Sequence, residues 1–378
     1  MDPKKKYNLF KENKNFCAVP WNGFEVYPTG QIKTCSMGQT NLGNLHHQKI
    51  GEIVDSDVIK RIKQNMLDNK PDPNCVLCHH RYTDDNDFTY LRDHYNKLLV
   101  KQDVNYLDTS EFKLNTIDLH WSNICNLRCV MCNGEQSSLI AKDEGFDMQP
   151  INNETIQEIT DMVIDNQYNI QELYLSGGEP FYIPHNVKLL KRLSNKNIFM
   201  RINSNMQWLK TNAFLKELVN YNNVQLTMSA DAMGDKFEYI RNGSKWQLFS
   251  ENVEYIRQKT NFDLRLNTIF SVINADAICD LIDYFYFEQQ IKDITINLLY
   301  DPKELDPRNY PVTRKDKIVN RLSELRARIG EANTNLYNNL SNCIMQIGLP
   351  KEFGYEDAMD RFTIKHEKDW REVFTDLI

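Results

Sequence analysis

The sequence predicts an α/β fold: a partial (β/α)6 TIM-type barrel with an N-terminal cysteine-rich module and a C-terminal helical appendage. Three observations carry that expectation. From about residue 112, six short runs of strand composition alternate with longer amphipathic stretches. Seven of the nine cysteines fall into two groups, one ahead of the first run and one directly after it. Pro302, Pro307 and Pro311 then close the alternating pattern, and the chain turns helical and highly charged.

The six strand-like runs are 113–122, 170–178, 197–205, 223–231, 263–272 and 292–300, rich in Ile, Leu, Val, Thr and Phe and punctuated by Gly, Asn, Ser or Asp. Between them the apolar spacing predicts helices at 154–166, opened by Asn153 as N-cap, and at roughly 185–195, 211–220, 246–259 and 275–289. Strand-plus-helix units at this spacing imply a parallel sheet with right-handed crossovers and ligand chemistry at the strands' C-terminal ends. Six units are too few for a closed eight-stranded barrel, so the barrel is expected to be open.

Residues 1–84 read as a separate cysteine-rich module. They hold a Gly- and Pro-punctuated hairpin from Trp21 to Cys35, one helical stretch near 55–68, and a cysteine pair after Pro71 and Pro73. Residues 85–111 form a linker, helical from Phe88 to Val104; 112–305 form the barrel; 306–378 form the appendage, with an amphipathic helix over Asp316–Ile329.

Hydrophobic residues at 41% and charged residues at 26% of 378 positions suit a chain that buries a core rather than a disordered one. The net charge of −7 and the lack of a long basic block argue against a nucleic-acid partner. No stretch approaches the roughly eighteen apolar residues a spanning helix needs, so a cytoplasmic protein without a membrane partner is expected. In that compartment thiols stay reduced, and clustered cysteines read as metal ligands. Cys279 and Cys343 stand alone in apolar contexts and read as buried hydrophobes.

Cys125-Asn-Leu-Arg-Cys129-Val-Met-Cys132 follows the first barrel strand. Three thiolates on one loop would leave one iron of a four-iron cluster open to a small ligand. The residues alone leave zinc open as well, with His120 or His79 as a fourth ligand. The other group, Cys17, Cys35, Cys75 and Cys78, could close a tetrahedral zinc site or hold a four-iron cluster, and spacing does not choose. Asp118 and His120 alternate along the first strand, so they share one face and are candidates for positioning substrate or taking a proton. Tyr300 and Asp301, at the end of the sixth strand, are further candidates.

The C-x3-C-x2-C loop after a strand resembles the cluster loop of the radical S-adenosylmethionine (SAM) enzymes. In that family the open iron binds SAM, whose reductive cleavage yields a 5′-deoxyadenosyl radical that abstracts a hydrogen from the substrate. Other strand ends match in order. Gly177-Gly178-Glu179-Pro180 is similar to the segment that holds the SAM amino group. Asn203-Ser204-Asn205 resembles a Thr/Ser-Asn-Gly element, with Met206 in place of its glycine. Ser229-Ala-Asp231 looks like the Ser-x-Asp at the ribose, and Arg241 matches the arginine that pairs with the SAM carboxylate. The Cys17-x12-Gly30-x4-Cys35 part resembles the SPASM and twitch auxiliary-cluster modules, here ahead of the barrel where the usual order places them after it.

The resemblance implies SAM, a catalytic four-iron cluster and a second, auxiliary one as cofactors, and an external electron donor such as a flavodoxin or ferredoxin. It implies a peptide or protein side chain as substrate ahead of a small metabolite or nucleotide, although no leader-peptide-binding segment is readable. The competing expectation from another class is a zinc-stabilised, non-catalytic binding or adaptor protein.

Overall fold

A computed structural model describes residues 3–80, 90–366 and 368–377. The expected junction at residues 84–85, the start of the linker helix at Phe88 and the side chain of His79 lie outside the described residues. Eleven strands are described: β1 (Gly23–Val26), β2 (Gln31–Lys33), β3 (Gly43–Asn44), β4 (Thr116–Leu119), β5 (Arg128–Cys129), β6 (Glu172–Leu175), β7 (Phe199–Ser204), β8 (Asn223–Ser229), β9 (Arg241–Asn242), β10 (Asp263–Phe270) and β11 (Ile294–Leu298). The six expected barrel strands are all present as β4, β6, β7, β8, β10 and β11. They are shorter than the sequence runs because turn residues at both ends leave the sheet. The fold class is the expected mixed α/β, partial TIM-type one.

The chain divides into two compact units: residues 1–124, 145–202 and 213–224, and residues 125–144, 203–212 and 225–378. In the first unit β4 pairs parallel with β6, and β6 parallel with β7. The cysteine-rich segment is not merely appended to this sheet. Its strand β1 pairs parallel with β4, while β2 returns antiparallel to β1 and β3 to β2. The turn between β1 and β2 closes on Gly30, whose φ of 77° is one that glycine adopts without strain.

Period-two alternation divides the sheet's residues. Ile117, Leu119, Leu173, Leu175, Met200 and Ile202 are buried on one face. On the other, Glu25 stands opposite Asp118, Asp118 opposite Tyr174 and Tyr174 opposite Arg201, a polar row crossing four strands. Trp121, just past β4, donates from Nε1 to the Asn186 carboxamide at 2.8 Å, tying the strand end to the helix Pro184–Arg192.

The helix Asn153–Asp165 begins one residue earlier than the spacing suggests. Asn152, not Asn153, is the N-cap, and its side chain accepts from the Thr155 amide at 2.8 Å. Two adjacent asparagines offer the same cap chemistry, and the burial of Ile156, Ile159 and Val163 decides which one stands outside the helix.

In the second unit β10 pairs parallel with β8 and with β11. The expected helix at 275–289 is instead a 3-10 turn Val272–Asn274, a short α-helix Ile278–Ile282 and a π-helical turn Asp283–Glu288. The C-terminal residues pack as helices Lys315–Ile329, Thr334–Gly348 and Glu356–His366. The second of these covers β11: Asn339, buried, accepts from the Ile296 amide at 2.7 Å and so occupies a strand group left over by the sheet ladder. Cys279 and Cys343 are buried as expected.

Replacing the true cap tests the helix assignment. Asn152→Ala should lower the unfolding free energy by about 1 kcal/mol, read as a lower denaturant midpoint at unchanged slope. Asn153→Ala should be close to neutral. The reverse order would mean that the helix starts where the sequence spacing alone puts it.

Candidate functional site

In the second unit the three-cysteine loop is held by a two-stranded ribbon. β5 pairs antiparallel with β9, which sets Cys129 opposite Arg241, and the Val130 amide donates to the Ile240 carbonyl at 2.9 Å. Leu127 and Val130 bury their side chains, and the Cys132 amide turns back onto the Cys129 carbonyl at 3.0 Å. Ser138 accepts from the Cys125 amide at 3.2 Å, and Ser137 donates to the Leu127 carbonyl at 2.8 Å. The loop, with only Arg128 and Cys129 in a strand, thus closes several of its backbone valences locally.

Asn205 lies against this loop. Its amide group donates to the Asn126 side-chain oxygen at 2.9 Å, and Asn126 in turn donates to the Gln207 carbonyl at 3.0 Å. Met206, which stands where the resembled element has glycine, keeps a left-handed φ of 59° while fully buried. The backbone conformation survives the substitution and is held from outside, by Asn252, which donates to the Met206 and Trp208 carbonyls at 2.9 and 2.8 Å.

Arg241 is not a solvated helix-end charge but a buried one, 7% exposed. One guanidinium nitrogen meets the Asp231 carboxylate at 2.9 Å, and Asp231 also accepts from the Ile269 amide at 2.8 Å. Burial works against the Arg241 charge, but Asp231 and the Cys129 sulfur beside it more than restore it. Its Nε, also buried, meets no acceptor among the described residues. A buried guanidinium held by Asp231 and beside the Cys129 sulfur, with its Nε unpartnered among the described residues, is a donor suited to an anionic ligand. Ser229, at the end of β8, is half-buried, and Tyr300 is 57% exposed.

Burial pushes the Cys129 thiol up, against the pull of Arg241; burial and the neighbouring Cys129 push Cys132 up to about 12. Without an iron or other cation these sulfurs stay protonated, so loading the site releases protons.

In the first unit Gly177 and Gly178 follow β6 because the segment 122–124 leaves no room for side chains. A Cβ on Gly178 would stand 2.3 Å from the Ile124 carbonyl oxygen, and one on Gly177 would stand 2.7 Å from that of Ser122. Glu179 donates its amide to the Ile124 carbonyl at 2.8 Å, and its buried carboxylate caps the turn Pro180–Tyr182 by accepting from the Phe181 amide. This segment therefore shapes the backbone that leads directly into Cys125.

Cys17, Cys35, Cys75 and Cys78 line one small cavity of about 20 Å³. Among the described residues, no three Cys, His, Asp or Glu groups are drawn tightly enough to grip a single ion. Four cysteine sulfurs around a common space are the donor set that a four-iron cluster takes. Burial raises all three thiols for which a shift is resolved: Cys17 strongly, Cys35 to about 11 and Cys75 to about 12. Asn74, 1% exposed, organises this site. Its carboxamide donates to the Thr34 hydroxyl at 2.9 Å and to the Cys75 sulfur at 3.6 Å, and accepts from the Thr40 amide at 3.0 Å. Sequence reasoning missed it, and its place next to Cys75 was the available signal.

Asp118 and His120 part company. Asp118 lines a cavity of about 230 Å³ with Glu25, Tyr174, Ser176 and Arg201, whereas His120 lies past the end of β4, with its ring 5.9 Å from that of Tyr27. The His120 Nε2 is buried without a partner among the described residues, and burial lowers its pKa to about 4, so the ring is neutral.

Two family models match. The radical SAM superfamily model covers residues 119–282, and the iron–sulfur cluster-binding domain called SPASM covers residues 17–79. No curated protein matches the chain. Solved structures that resemble it include native anSMEcpe with bound AdoMet (18% identity, 68% of this chain and 67% of that one, TM-score 0.43). The same protein with AdoMet and the Kp18Cys peptide follows at 17% identity, 57% and 59% coverage and TM-score 0.41. Streptococcus suis SuiB bound to S-adenosylmethionine stands at 16%, 75% and 60%, and 0.42. The chain thus spans about three fifths, 59%, of the length of the peptide-bound structure. No helix among the described residues is long and apolar enough to cross a membrane.

The buried acid of the larger cavity gives this site a pH signature. Burial, above all, pushes Glu25 up to about 7, against hydrogen bonds from Tyr27 and with Asp118 and the charge of Lys33. Between the ordinary glutamate value of 4.5 and about 7 the folded protein then holds more protons than the unfolded chain, so stability falls as pH rises through that window. Urea unfolding from pH 4.5 to 7.5 should show this decline in the native protein and a flatter profile in Glu25→Gln. Parallel profiles would contradict the assignment.

The iron–sulfur domain match displaces the zinc expectation for the N-terminal cysteines, and with it the zinc adaptor reading. The chain carries a radical SAM domain over residues 119–282, with an SPASM iron–sulfur module over residues 17–79 ahead of it, the domains of a radical SAM enzyme.

Proposed function

We propose that this chain is a radical SAM enzyme that modifies a peptide or protein side chain, with Cys125, Cys129 and Cys132 holding the catalytic four-iron cluster. The observation that carries the reading is the pairing of Cys129 with Arg241 across β5 and β9, which puts a buried guanidinium with an unpartnered Nε beside a thiol of the three-cysteine loop. When bound, the cluster and SAM supply reductive cleavage of the sulfonium and a 5′-deoxyadenosyl radical able to abstract hydrogen.

The chain's own part is to bind, orient and shield. Arg241 holds the SAM carboxylate with the edge that Asp231 leaves open, and Asp231 fixes the guanidinium plane. Asn205 keeps the loop in place through Asn126, and Ser229 offers a hydroxyl at the end of β8. In the other unit Gly177, Gly178, Glu179 and Pro180 present the SAM amino-group segment. Cys17, Cys35, Cys75 and Cys78 hold the auxiliary cluster, and a flavodoxin or ferredoxin supplies the electron. Asp118 faces the substrate, and neutral His120 is available as a proton acceptor. The auxiliary module favours a peptide or protein substrate over a small metabolite, because the resembled modules belong chiefly to enzymes of that kind.

The test is anaerobic turnover with dithionite and SAM. The native protein should form 5′-deoxyadenosine and Cys129→Ala essentially none. In the same reactions, peptides deuterated at side-chain carbons should pass deuterium into 5′-deoxyadenosine. Equal yields from Cys129→Ala would overturn the cluster assignment, and deuterium transfer only from a free metabolite would overturn the substrate class.

A further inference from the structure

The cavity that Glu25 and Asp118 line has a one-sided chemistry. Glu25 on β1 and Asp118 on β4 stand at the same register level and share a hydrogen bond. The Ser176 hydroxyl donates to Asp118 at 3.0 Å, and Tyr27 serves Glu25. The second Glu25 carboxylate oxygen, on a side chain 4% exposed, meets no donor among the described residues.

The cations nearby are already committed. Arg201, on the cavity wall, is bound to Glu172 at 2.9 Å and stacks 4.5 Å over the Tyr174 ring. Glu172 also holds His94 at 2.7 Å; burial works against the carboxylate charge, but His94 and Arg201 outweigh it. Lys33, opposite Glu25 on β2, rests 4.8 Å over the Tyr27 ring outside the cavity wall, and its charge acts on Glu25 without meeting its second oxygen. What the cavity offers an incoming group is therefore an unmet acceptor between two acids, with Tyr95, Tyr174 and Phe24 as aromatic walls and Cys35 of the auxiliary site at its border. An anionic group would meet an acid pair that holds a shared proton, and an arginine already neutralised. A positive group on an aliphatic stem would displace that proton to solvent and gain a charged acceptor and ring faces suited to cations.

We propose that this cavity receives a positively charged substrate group, an ammonium or guanidinium on a flexible side chain, held by Glu25 and Asp118. The inference rests on the peptide reading above and narrows it to substrates with a lysine- or arginine-like residue at or beside the modified position. Its volume of about 230 Å³ gives such a side chain room.

The probes are Nα-acetyl-lysine N-methylamide, its arginine counterpart and the uncharged norleucine isostere, titrated calorimetrically into the full-length, cluster-reconstituted protein without SAM. One of the two cationic probes should bind, and norleucine should bind at least about tenfold more weakly. Glu25→Gln, which keeps the side-chain shape, and Asp118→Asn should each weaken the cationic probe by about tenfold or more. Equal binding of norleucine, no binding of either cationic probe, or unchanged binding in both variants would overturn the proposal. Should a variant fail to fold, the comparison of probes on the native protein still decides. Because no SAM is present, these outcomes are separate from SAM cleavage: a protein that binds lysine but makes no 5′-deoxyadenosine would fail the earlier reading alone.

Discussion

Everything at the three-cysteine loop depends on one constraint. Eight residues, Cys125 to Cys132, must present three thiols without the support of a helix or a long strand. The pairing of β5 with β9 meets it. It fixes Cys129 opposite Arg241 and joins the loop to the end of the helix Gly234–Ile240. Arg241 in turn stays charged in a buried place because Asp231 compensates it. Losing Asp231 would leave a buried unpaired cation, a change that costs far more than an exposed ion pair contributes. The loop's geometry and the buried Asp231 ion pair thus share one arginine.

The N-terminal module shows a second economy. An auxiliary-cluster hairpin ahead of a barrel could have been a tethered domain. Instead β1 extends the sheet in parallel with β4, so Cys35, two residues past the end of β2, borders the cavity that Glu25 and Asp118 line. Continuous hydrogen bonding from β1 through β7 makes the cysteine hairpin and the polar row one rigid surface.

Much of this was legible in the sequence. The six barrel strands, the hairpin from Trp21 to Cys35 and both cysteine groups follow from local composition and spacing, and local information was enough for them. Non-local facts were not readable. Nothing in GFEV announces that Glu25 will stand beside Asp118, because strand register depends on partners about ninety positions apart. The same holds for Tyr174 and Arg201, and for the Asp231–Arg241 ion pair, which the motif comparison treated as two separate contacts. The N-cap was misplaced by one residue because Asn152 and Asn153 have the same side chain and only packing distinguishes them. Asn74 was overlooked because an asparagine before a cysteine has many ordinary roles. Met206 stands where the resembled element has glycine, and its left-handed φ of 59° is a conformation that glycine adopts without strain.

The central claim is that the two cysteine groups hold two separate iron–sulfur clusters with different duties. The most direct measurement is iron and sulfide content, with electron paramagnetic resonance of the reduced state, on anaerobically reconstituted protein and on two variants. One variant replaces Cys125, Cys129 and Cys132 by alanine; the other replaces Cys75 and Cys78. Two four-iron clusters predict about eight irons per chain in the native protein and about four in each variant. The spectrum should change on adding SAM only where the three-cysteine loop is intact. Native protein with about four irons and bound zinc, or a SAM-induced spectral change that survives loss of Cys125, Cys129 and Cys132, would contradict the account.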